Sequence, residues 1–167
     1  MSDLILVLNC GSSSIKFALF DADAQPLPRQ PLWNGKVDGI TGPAPTFGET
    51  GVTPGPVTLD AAHPYHAALQ HIRSRVLART AQGGHRIAAV AHRVVHGGAK
   101  YADPVRVNAS VLEDLRGYIP LAPLHQPFAL EAIGALLQHL PALPQVACFD
   151  TAFHHPLPAV QIMLPLA

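Results

Sequence analysis

Residues 4–20, LILVLNCGSSSIKFALF, decide the local fold at the start of this chain. The first five of these residues are all apolar, which is typical of a strand buried on both faces. A polar turn follows at residues 9–14. Beyond it Ile15, Phe17 and Leu19 alternate with Lys16 and Ala18, which indicates a second strand with one face less buried. The stretch therefore predicts a tight β-hairpin.

The tip of this hairpin has the composition of a phosphate-binding turn. Gly11 allows positive φ and lets a ligand approach the backbone closely. Successive N–H groups of a turn form a concavity suited to an anion, and three serines and Lys16 add hydroxyls and a positive charge. The alternative is an ordinary polar turn, since Asn, Gly and Ser dominate turns for backbone reasons alone. The pattern matches neither the Walker sequence nor the dinucleotide-binding fingerprint.

Composition limits the possible classes of function. The 167 residues allow one domain with a real core, and 11 basic residues balance 11 acidic ones. With no basic stripe or basic amphipathic run, we expect neither nucleic acid nor a membrane as partner. Cys10 and Cys148 are far apart and suit reduced thiols, and the N-terminus lacks a basic signal-peptide region, so we expect a cytoplasmic protein.

The rest of the chain alternates predicted strands and helices. Residues 38–58 are dense in Gly, Pro and Thr and predict a long loop. Ser110 and Glu113 have the spacing of a helix-starting capping box, and residues 119–127 form an apolar stretch interrupted by prolines that must be extended or turned. The predicted strands cover 32–37, 87–91 and 146–149, and the predicted helices cover 61–81, 110–117 and 128–140.

Two charged residues stand at the ends of predicted strands. Arg93 follows a buried strand and precedes a Gly-Gly turn, where its guanidinium fork suits a carboxylate or phosphate ligand or a structural ion pair. Asp150 directly follows the last strand, and open α/β sheets place their chemistry at the carboxyl ends of strands. The alternative for Asp150 is a cap on the following turn. Local sequence leaves both questions open.

Three histidines attract a metal or ligand interpretation. His92 and His96 are four apart, but the intervening valines and the preceding strand favour a strand, on which their rings would lie roughly 13 Å apart. That separation disfavours a shared metal ion. His125 ends the rigid apolar stretch before the last helix, and it is either a ligand-binding residue or an ordinary structural histidine.

Together these positions supply phosphate donors, a carboxylate-binding fork and a carboxylate that favours magnesium, which is the inventory of phosphoryl transfer. The chain resembles the acetate kinase family, which includes acetate and propionate kinases, within the sugar-kinase, Hsp70 and actin superfamily. The resemblance rests on LVLNCGSSSIKFALFD, AHRVVHGG, IPLAPLHQP and ACFDTAFHHPLP, which come in the family's order. It implies an α/β actin-like ATPase domain, ribonuclease H-like, with a mixed sheet flanked by helices.

The resemblance also implies roles for the opening hairpin. Asn9 belongs to the site for Mg²⁺ (or Mn²⁺) and phosphate. Gly11, Ser12, Ser14 and Lys16 line the loop that faces the phosphates of ATP.

The remaining implied roles concern the acceptor, acetate or another short carboxylic acid. Arg93 binds its carboxylate and the transferring phosphoryl group. Val95 and Leu124 line a small apolar pocket for its methyl group. His125 steadies the phosphoryl oxygens, and Asp150 engages magnesium or orients the carboxylate. The implied reaction is reversible transfer of the ATP γ-phosphoryl group to acetate, giving acetyl phosphate and ADP.

Two substitutions and the length depart from the family. The family usually has Asn at the position of Gln126 and Gln at the position of His155, and we expect small effects because both positions stay polar. Family members are well over twice this length, in two lobes, and form homodimers. We therefore expect residues 1–167 to be a single N-terminal lobe that lacks the C-terminal lobe and is inactive or nearly so alone. The alternatives are a propionate kinase, another actin-like kinase, a non-catalytic lobe that binds phosphate or a partner, and a histidine-rich metal module.

Overall fold

One eight-stranded mixed sheet carries the fold in the computed structural model, which describes residues 2–154. The strands are β1 (Ser2–Cys10), β2 (Ser14–Asp21), β3 (Trp33–Asp38), β4 (Thr46–Glu49), β5 (Val52–Pro56), β6 (His85–Val94), β7 (Val105–Arg106) and β8 (Gln145–Phe149). The helices are α1 (Pro64–Gly83), α2 (Ala109–Gly117) and α3 (Gln126–His139), with 3₁₀ turns at Ile119–Leu121 and Asp150–His154. The spatial order is β5-β4-β3-β2-β1-β6-β8-β7. β1, β6 and β8 run parallel, and the other neighbouring pairs are antiparallel.

The hairpin predicted from residues 4–20 is confirmed. β1 pairs with β2 from Leu4 opposite Asp21 to Cys10 opposite Ile15, and the alternate residues of β2 that were expected to be inside are buried. The prediction that β1 is buried on both faces is wrong. Only its alternate residues are fully buried, and Ile5 and Val7 between them are half-buried.

The described helices explain this asymmetry, because all three pack on one face of the sheet. We call this the helix face; it carries Leu8, Phe17 and Val90, which share one core with α1 and with Ala132 of α3. A second core joins α2 and α3 to the ends of β6 and β8. The opposite face, which carries Val7, Lys16 and Arg93 and which we call the open face, has no helix against it within residues 2–154.

Residues 38–58, predicted as a long loop, contain the hairpin of β4 and β5 instead. Phe47 of β4 pairs opposite Val37 of β3, and its ring lies 6.3 Å from that of Phe17 and 4.6 Å from that of His71. β5 is the edge strand, where prolines are tolerated because no neighbour needs their missing N–H. The high content of Gly and Pro therefore marks an edge hairpin, not a loop.

α1 is confirmed within three residues of its predicted ends. Pro64 lies in its first turn, and Gly84 ends it in the left-handed conformation with φ of +64°. Leu77 was expected on the buried side but is 49% exposed, because it lies one residue beyond the buried stripe. That stripe consists of Tyr65, Ala68, Ile72, Val76 and Thr80.

The proline-rich stretch before α3 is turned, with the 3₁₀ turn Ile119–Leu121 inside it. α3 begins at Gln126, two residues earlier than predicted. Pro127 permits the earlier start because the first-turn N–H groups of a helix have no intrahelical partner to lose.

The N-terminus of α2 differs from the predicted capping box. Asn108 is the N-cap, and its side-chain oxygen accepts a hydrogen bond of 2.9 Å from the backbone N–H of Val111. Ser110 lies inside the helix, and Glu113 forms an ion pair with Arg116. The sequence pattern placed the start two residues too late because both Asn and Ser are good caps.

This assignment gives a test of the cap. Asn108→Ala should lower the free energy of unfolding by about 1 kcal/mol, because it leaves a helical N–H without its partner. Ser110→Ala, the matched control, should change it by less than about 0.5 kcal/mol. Urea unfolding followed by circular dichroism measures both, and an equal loss in the two variants would contradict the assignment.

None of the helices in residues 2–154 is long and apolar enough to cross a membrane.

Cys10 and Cys148 are both free thiols, as predicted. Burial raises the pKa of Cys10 to about 11, so its thiolate is a minor species at neutral pH.

Candidate active site

The carboxyl ends of the parallel strands β1, β6 and β8 meet at one edge of the sheet. Leu8 pairs with His92, and Arg93 pairs with Cys148, so Asn9 and Arg93 come next to each other on the open face. Asp150 directly follows β8 at the same edge. Three of the predicted site residues, from distant parts of the sequence, are therefore brought together by strand order alone.

Arg93 is the centre of this group. Its Nε and one terminal nitrogen donate to the two oxygens of Asp150 at 2.9 and 2.6 Å, and its other terminal nitrogen donates to Oδ1 of Asn9 at 3.2 Å. The hydrogen bond to Asp150 raises the pKa of Arg93. The side chain of Arg93 is 53% exposed and that of Asp150 is 39% exposed. This is a bidentate pair at the surface, so a ligand can reach it.

The guanidinium of Arg93 retains binding capacity. A guanidinium has five N–H donors, and three hydrogen bonds occupy three of them. The remaining two donors have no protein partner among residues 2–154. Asp150 and Asn9 thus hold the guanidinium in place while leaving part of its fork for an anionic ligand.

The serine turn lies at the same edge, but Gly11 does not use the positive φ that glycine allows. The turn closes through a hydrogen bond of 2.8 Å from the Gly11 N–H to the Ser14 carbonyl. Gly11 is not among the glycines with positive φ, and a Cβ on it would make only ordinary contacts. Ser12 is exposed and Ser14 is half-buried, so both hydroxyl positions stay near solvent.

A row of polar side chains crosses the open face from Lys36 of β3 to Arg93 of β6. Lys16 pairs opposite Asn9 on one side and opposite Lys36 on the other. With Arg93 these residues span roughly 14 Å at the usual strand spacing. Lys36 was not predicted as a site residue; it donates to Asp38 at 2.5 Å, and this hydrogen bond lowers the pKa of Asp38.

A concave region follows this row rather than the predicted acceptor pocket. It is an open groove of about 700 Å³ on the open face, and Asn9, Lys16, Asn34 and Lys36 contribute to its lining. Val95, Leu124 and His125 do not line it. The groove has the size of a small-molecule site, and of the residues predicted for phosphate and metal, Asn9 and Lys16 line it.

Among residues 2–154, Val95, Leu124 and His125 do not form a closed pocket. Val95 is half-buried in the loop after β6, and Leu124 is 73% exposed. His125 is exposed and precedes α3 as its N-cap residue without making a side-chain capping hydrogen bond. Their assignment as acceptor-site residues thus remains a prediction.

Two residues next to predicted site residues make hydrogen bonds that the sequence reasoning did not predict. Gln126 is 0% exposed, and its side-chain amide hydrogen-bonds both the N–H and the carbonyl of His96. The hydroxyl of Thr151 accepts from the N–H of Gly97 at 3.2 Å. No sequence pattern signals either link; only their positions beside His125 and Asp150 could have drawn attention to them.

The chemistry of the donors fits a magnesium ion that arrives with a nucleotide. The carboxylate of Asp150 and the amide oxygen of Asn9 are hard oxygen donors, and Mg²⁺ is usually held by one or two carboxylates together with substrate phosphates. Within residues 2–154 no three His, Cys, Asp or Glu residues are grouped so as to hold a metal by themselves. His92 and His96 are not a metal pair in this structure: His92 bonds Gln145 at 2.8 Å, and His96 accepts from the N–H of Gly98.

The mixed sheet, with its helices and a polar site at the carboxyl edge, places the chain in the class of actin-like (sugar kinase, Hsp70 and actin) α/β domains. The family model of the acetokinase family matches residues 4–167. An acetate kinase of Rhodopseudomonas palustris is 44% identical over 162 residues, covering 96% of this chain and 40% of that protein. The chain therefore belongs to the acetokinase family.

Solved structures agree with this placement. A propionate kinase from Francisella tularensis matches with a TM-score of 0.76 and 36% identity, over 96% of this chain and 40% of that one. Porphyromonas gingivalis acetate kinase matches with a TM-score of 0.73 and 30% identity, over 94% and 39%. The chain thus spans about 40% of the length of the relatives that it matches.

The second departure from the family pattern, His155, lies outside the described residues.

Proposed function

We propose that residues 1–167 form the N-terminal lobe of an acetate kinase, which transfers the γ-phosphoryl group of ATP reversibly to acetate. The supporting observation is the Arg93 guanidinium, held by Asp150 and Asn9 at the sheet edge beside the serine turn. A pinned, accessible fork suits both a carboxylate and a transferring phosphoryl group.

The proposed chemistry needs charge neutralisation more than proton transfer. A carboxylate oxygen of acetate attacks the γ-phosphorus, the bond from that phosphorus to the bridging oxygen of ADP breaks, and no net proton moves. The free N–H donors of Arg93 stabilise the negative charge on the phosphoryl oxygens, and His125 donates to the same oxygens. Asp150 orients the guanidinium and the acceptor carboxylate.

We assign the nucleotide side to the turn and its neighbours. Gly11, Ser12 and Ser14 face the phosphates of ATP, with Lys16 contributing positive charge. Asn9 and Asp150 provide the protein oxygens for Mg²⁺ (or Mn²⁺). When bound, the ion neutralises charge on the nucleotide phosphates.

Acceptor size separates acetate kinase from propionate kinase, the alternative favoured by the similarity to the Francisella tularensis structure. Val95 and Leu124 would contact the alkyl group. One extra methylene in an apolar pocket changes specificity by about 10- to 200-fold. Competing acetate and propionate in one assay, with turnover restored by a second lobe, therefore distinguishes the two activities.

The proposed lobe should be inactive or nearly so alone, because it spans about 40% of the relatives' length and single missing catalytic groups cost orders of magnitude in rate. The test is formation of acyl phosphate from MgATP and acetate, trapped as the hydroxamate, with a two-lobe family member as control. Turnover near that of the control would contradict the need for a second lobe.

We further propose a cytoplasmic location and a homodimer for the two-lobe protein.

The second candidate is a non-catalytic lobe that binds phosphate or a partner. The open groove, which Asn9, Lys16 and Lys36 help to line, favours it. Addition of a separately expressed second lobe discriminates: restored turnover supports the kinase lobe, whereas MgATP binding that never leads to turnover supports the non-catalytic lobe.

A further inference from the structure

The dipeptide His96–Gly97, in the loop after β6, is hydrogen-bonded by the sequence neighbours of two predicted catalytic residues. Gln126 follows His125, and Thr151 follows Asp150. Arg93 belongs to the strand that leads into the dipeptide. This loop is therefore connected to the chain beside Arg93, His125 and Asp150. We call it the hub loop (residues 95–98).

Gln126 ties the hub loop to α3. Its Oε1 accepts from the His96 N–H at 3.1 Å, and its Nε2 donates to the His96 carbonyl at 2.9 Å. The same Nε2 lies 3.4 Å from the carbonyl of Leu115 in α2. The side chain is completely buried, so water cannot replace these bonds. The His96 N–H belongs to the peptide after Val95, so the amide also fixes the backbone of that predicted pocket residue.

Thr151 ties the hub loop to the end of β8. Its hydroxyl accepts from the Gly97 N–H at 3.2 Å, while the adjacent Asp150 holds Arg93 through two hydrogen bonds. The segment from Arg93 to Gly97 and the dipeptide Asp150-Thr151 thus form a closed ring with two cross-links. A displacement of Gly97 would therefore displace Asp150 and, through its hydrogen bonds, the guanidinium of Arg93.

Close packing leaves the hub loop little room to move. A Cβ on Gly97 would overlap the carbonyl oxygen of Tyr101 and touch the ring of Phe149. Gly98 adopts φ of +63°, and a Cβ there would overlap the ring of Tyr118. Only glycine fits at both positions, so the backbone of the loop is in close contact with its neighbours.

We propose that Gln126 and Thr151 are positioning residues, which lock the hub loop and thereby set the relative positions of Arg93, Val95, His125 and Asp150 for a short carboxylate. This inference rests on the proposed function for its ligand, but the lock itself does not require one. It also gives Gln126 a role, although its departure from the family's usual Asn was expected to have a small effect.

The test uses the whole chain labelled with ¹⁵N and three variants at the hub: Gln126→Met, which keeps the length but loses the amide, Gln126→Asn and Thr151→Val. The matched control is Gln145→Met. Gln145 is equally buried and bonds His92 and the Ile133 carbonyl on the helix face, away from the hub loop. Three quantities are measured: the hydrogen-exchange rate of the Gly97 amide, the chemical shift of the Arg93 Nε–H, and the affinity for acetate and propionate.

Gln126→Met should speed exchange at Gly97, which it does not contact, by about tenfold or more, shift the Arg93 Nε–H signal and weaken acetate binding by about tenfold. Gln126→Asn should recover part of each effect, and Thr151→Val should reproduce them without disturbing α3. Gln145→Met should lower the unfolding temperature and leave all three unchanged. A Gln126→Met protein with wild-type Gly97 exchange and Arg93 shift, or a Gln145→Met protein with the same changes, would overturn the inference.

The two possible failures can be told apart. If the wild-type chain binds neither carboxylate, the proposed ligand is wrong, and the exchange and shift data still decide whether Gln126 and Thr151 lock the loop. If Gln126→Met does not fold, Thr151→Val and Gln126→Asn decide it by the same two readouts.

Discussion

Replacing Arg93 by lysine is expected to weaken acetate binding by about tenfold to a hundredfold while barely changing the free energy of unfolding. Lysine keeps the charge but cannot hold Asp150 with two donors, Asn9 with a third and a ligand with the rest. Losing charged hydrogen bonds to a ligand costs about 1.5–3 kcal/mol. The pair with Asp150 is largely exposed, so its contribution to stability is about 1 kcal/mol or less.

A second bidentate arginine in the same sheet provides the control. Arg86 donates to the two oxygens of Asp3 at 2.9 and 2.7 Å, and this pair is also exposed. It lies at the opposite end of β1 and β6 from Arg93. Arg86→Lys should therefore leave acetate affinity unchanged in an NMR titration. Equal weakening in the two variants would show that Arg93 acts through general electrostatics and not as a binding fork.

The sequence predicted the elements with strong periodicity and missed those defined by pairing. The opening hairpin and α1 were correct because alternation and helical spacing are local signals. β4 and β5 were missed because their Gly and Pro content is that of a loop, and only the presence of β3 beside them makes a strand. The start of α2 was misplaced because Asn108 and Ser110 are both acceptable caps, and tertiary packing selects one.

The candidate site divides in the same way. Asn9 was predicted from the family resemblance. Arg93 and Asp150 could be predicted because each stands at the end of an apolar run, and parallel strands bring such ends together. Lys36 could not, because its place in the row depends on the register of β3 against β2. Nor could Gln126, because its role comes from a contact with His96 across the loop, and spacing in the sequence does not encode such contacts.

Stability should fall as the pH drops from 8 to 5, mainly through His92. This side chain is 1% exposed, bonds Gln145 through Nε2 and has no partner for Nδ1 among the described residues. Burial lowers the pKa of His92 from 6.5 to about 4. Between these values the unfolded chain takes up a proton that the folded chain does not, so the free energy of unfolding decreases as the pH falls. The loss is about 2 kcal/mol at pH 5.

The measurement is urea unfolding at pH 8, 7, 6 and 5. The double variant His92→Leu with Gln145→Leu removes the proton site and its partner together, which avoids leaving a lone polar group buried, and it should lose most of the pH dependence. His139→Gln, at an exposed histidine, should keep the pH dependence.

The remaining slope belongs partly to His71, whose pKa burial also lowers. The carboxylates with lowered pKa values, Asp3, Asp38 and Asp114, act only at more acidic pH, because their pKa values lie below 3.8. An unchanged slope in the double variant would mean that the pKa of His92 is the same in the folded and the unfolded chain, so that His92 makes no contribution to the pH dependence.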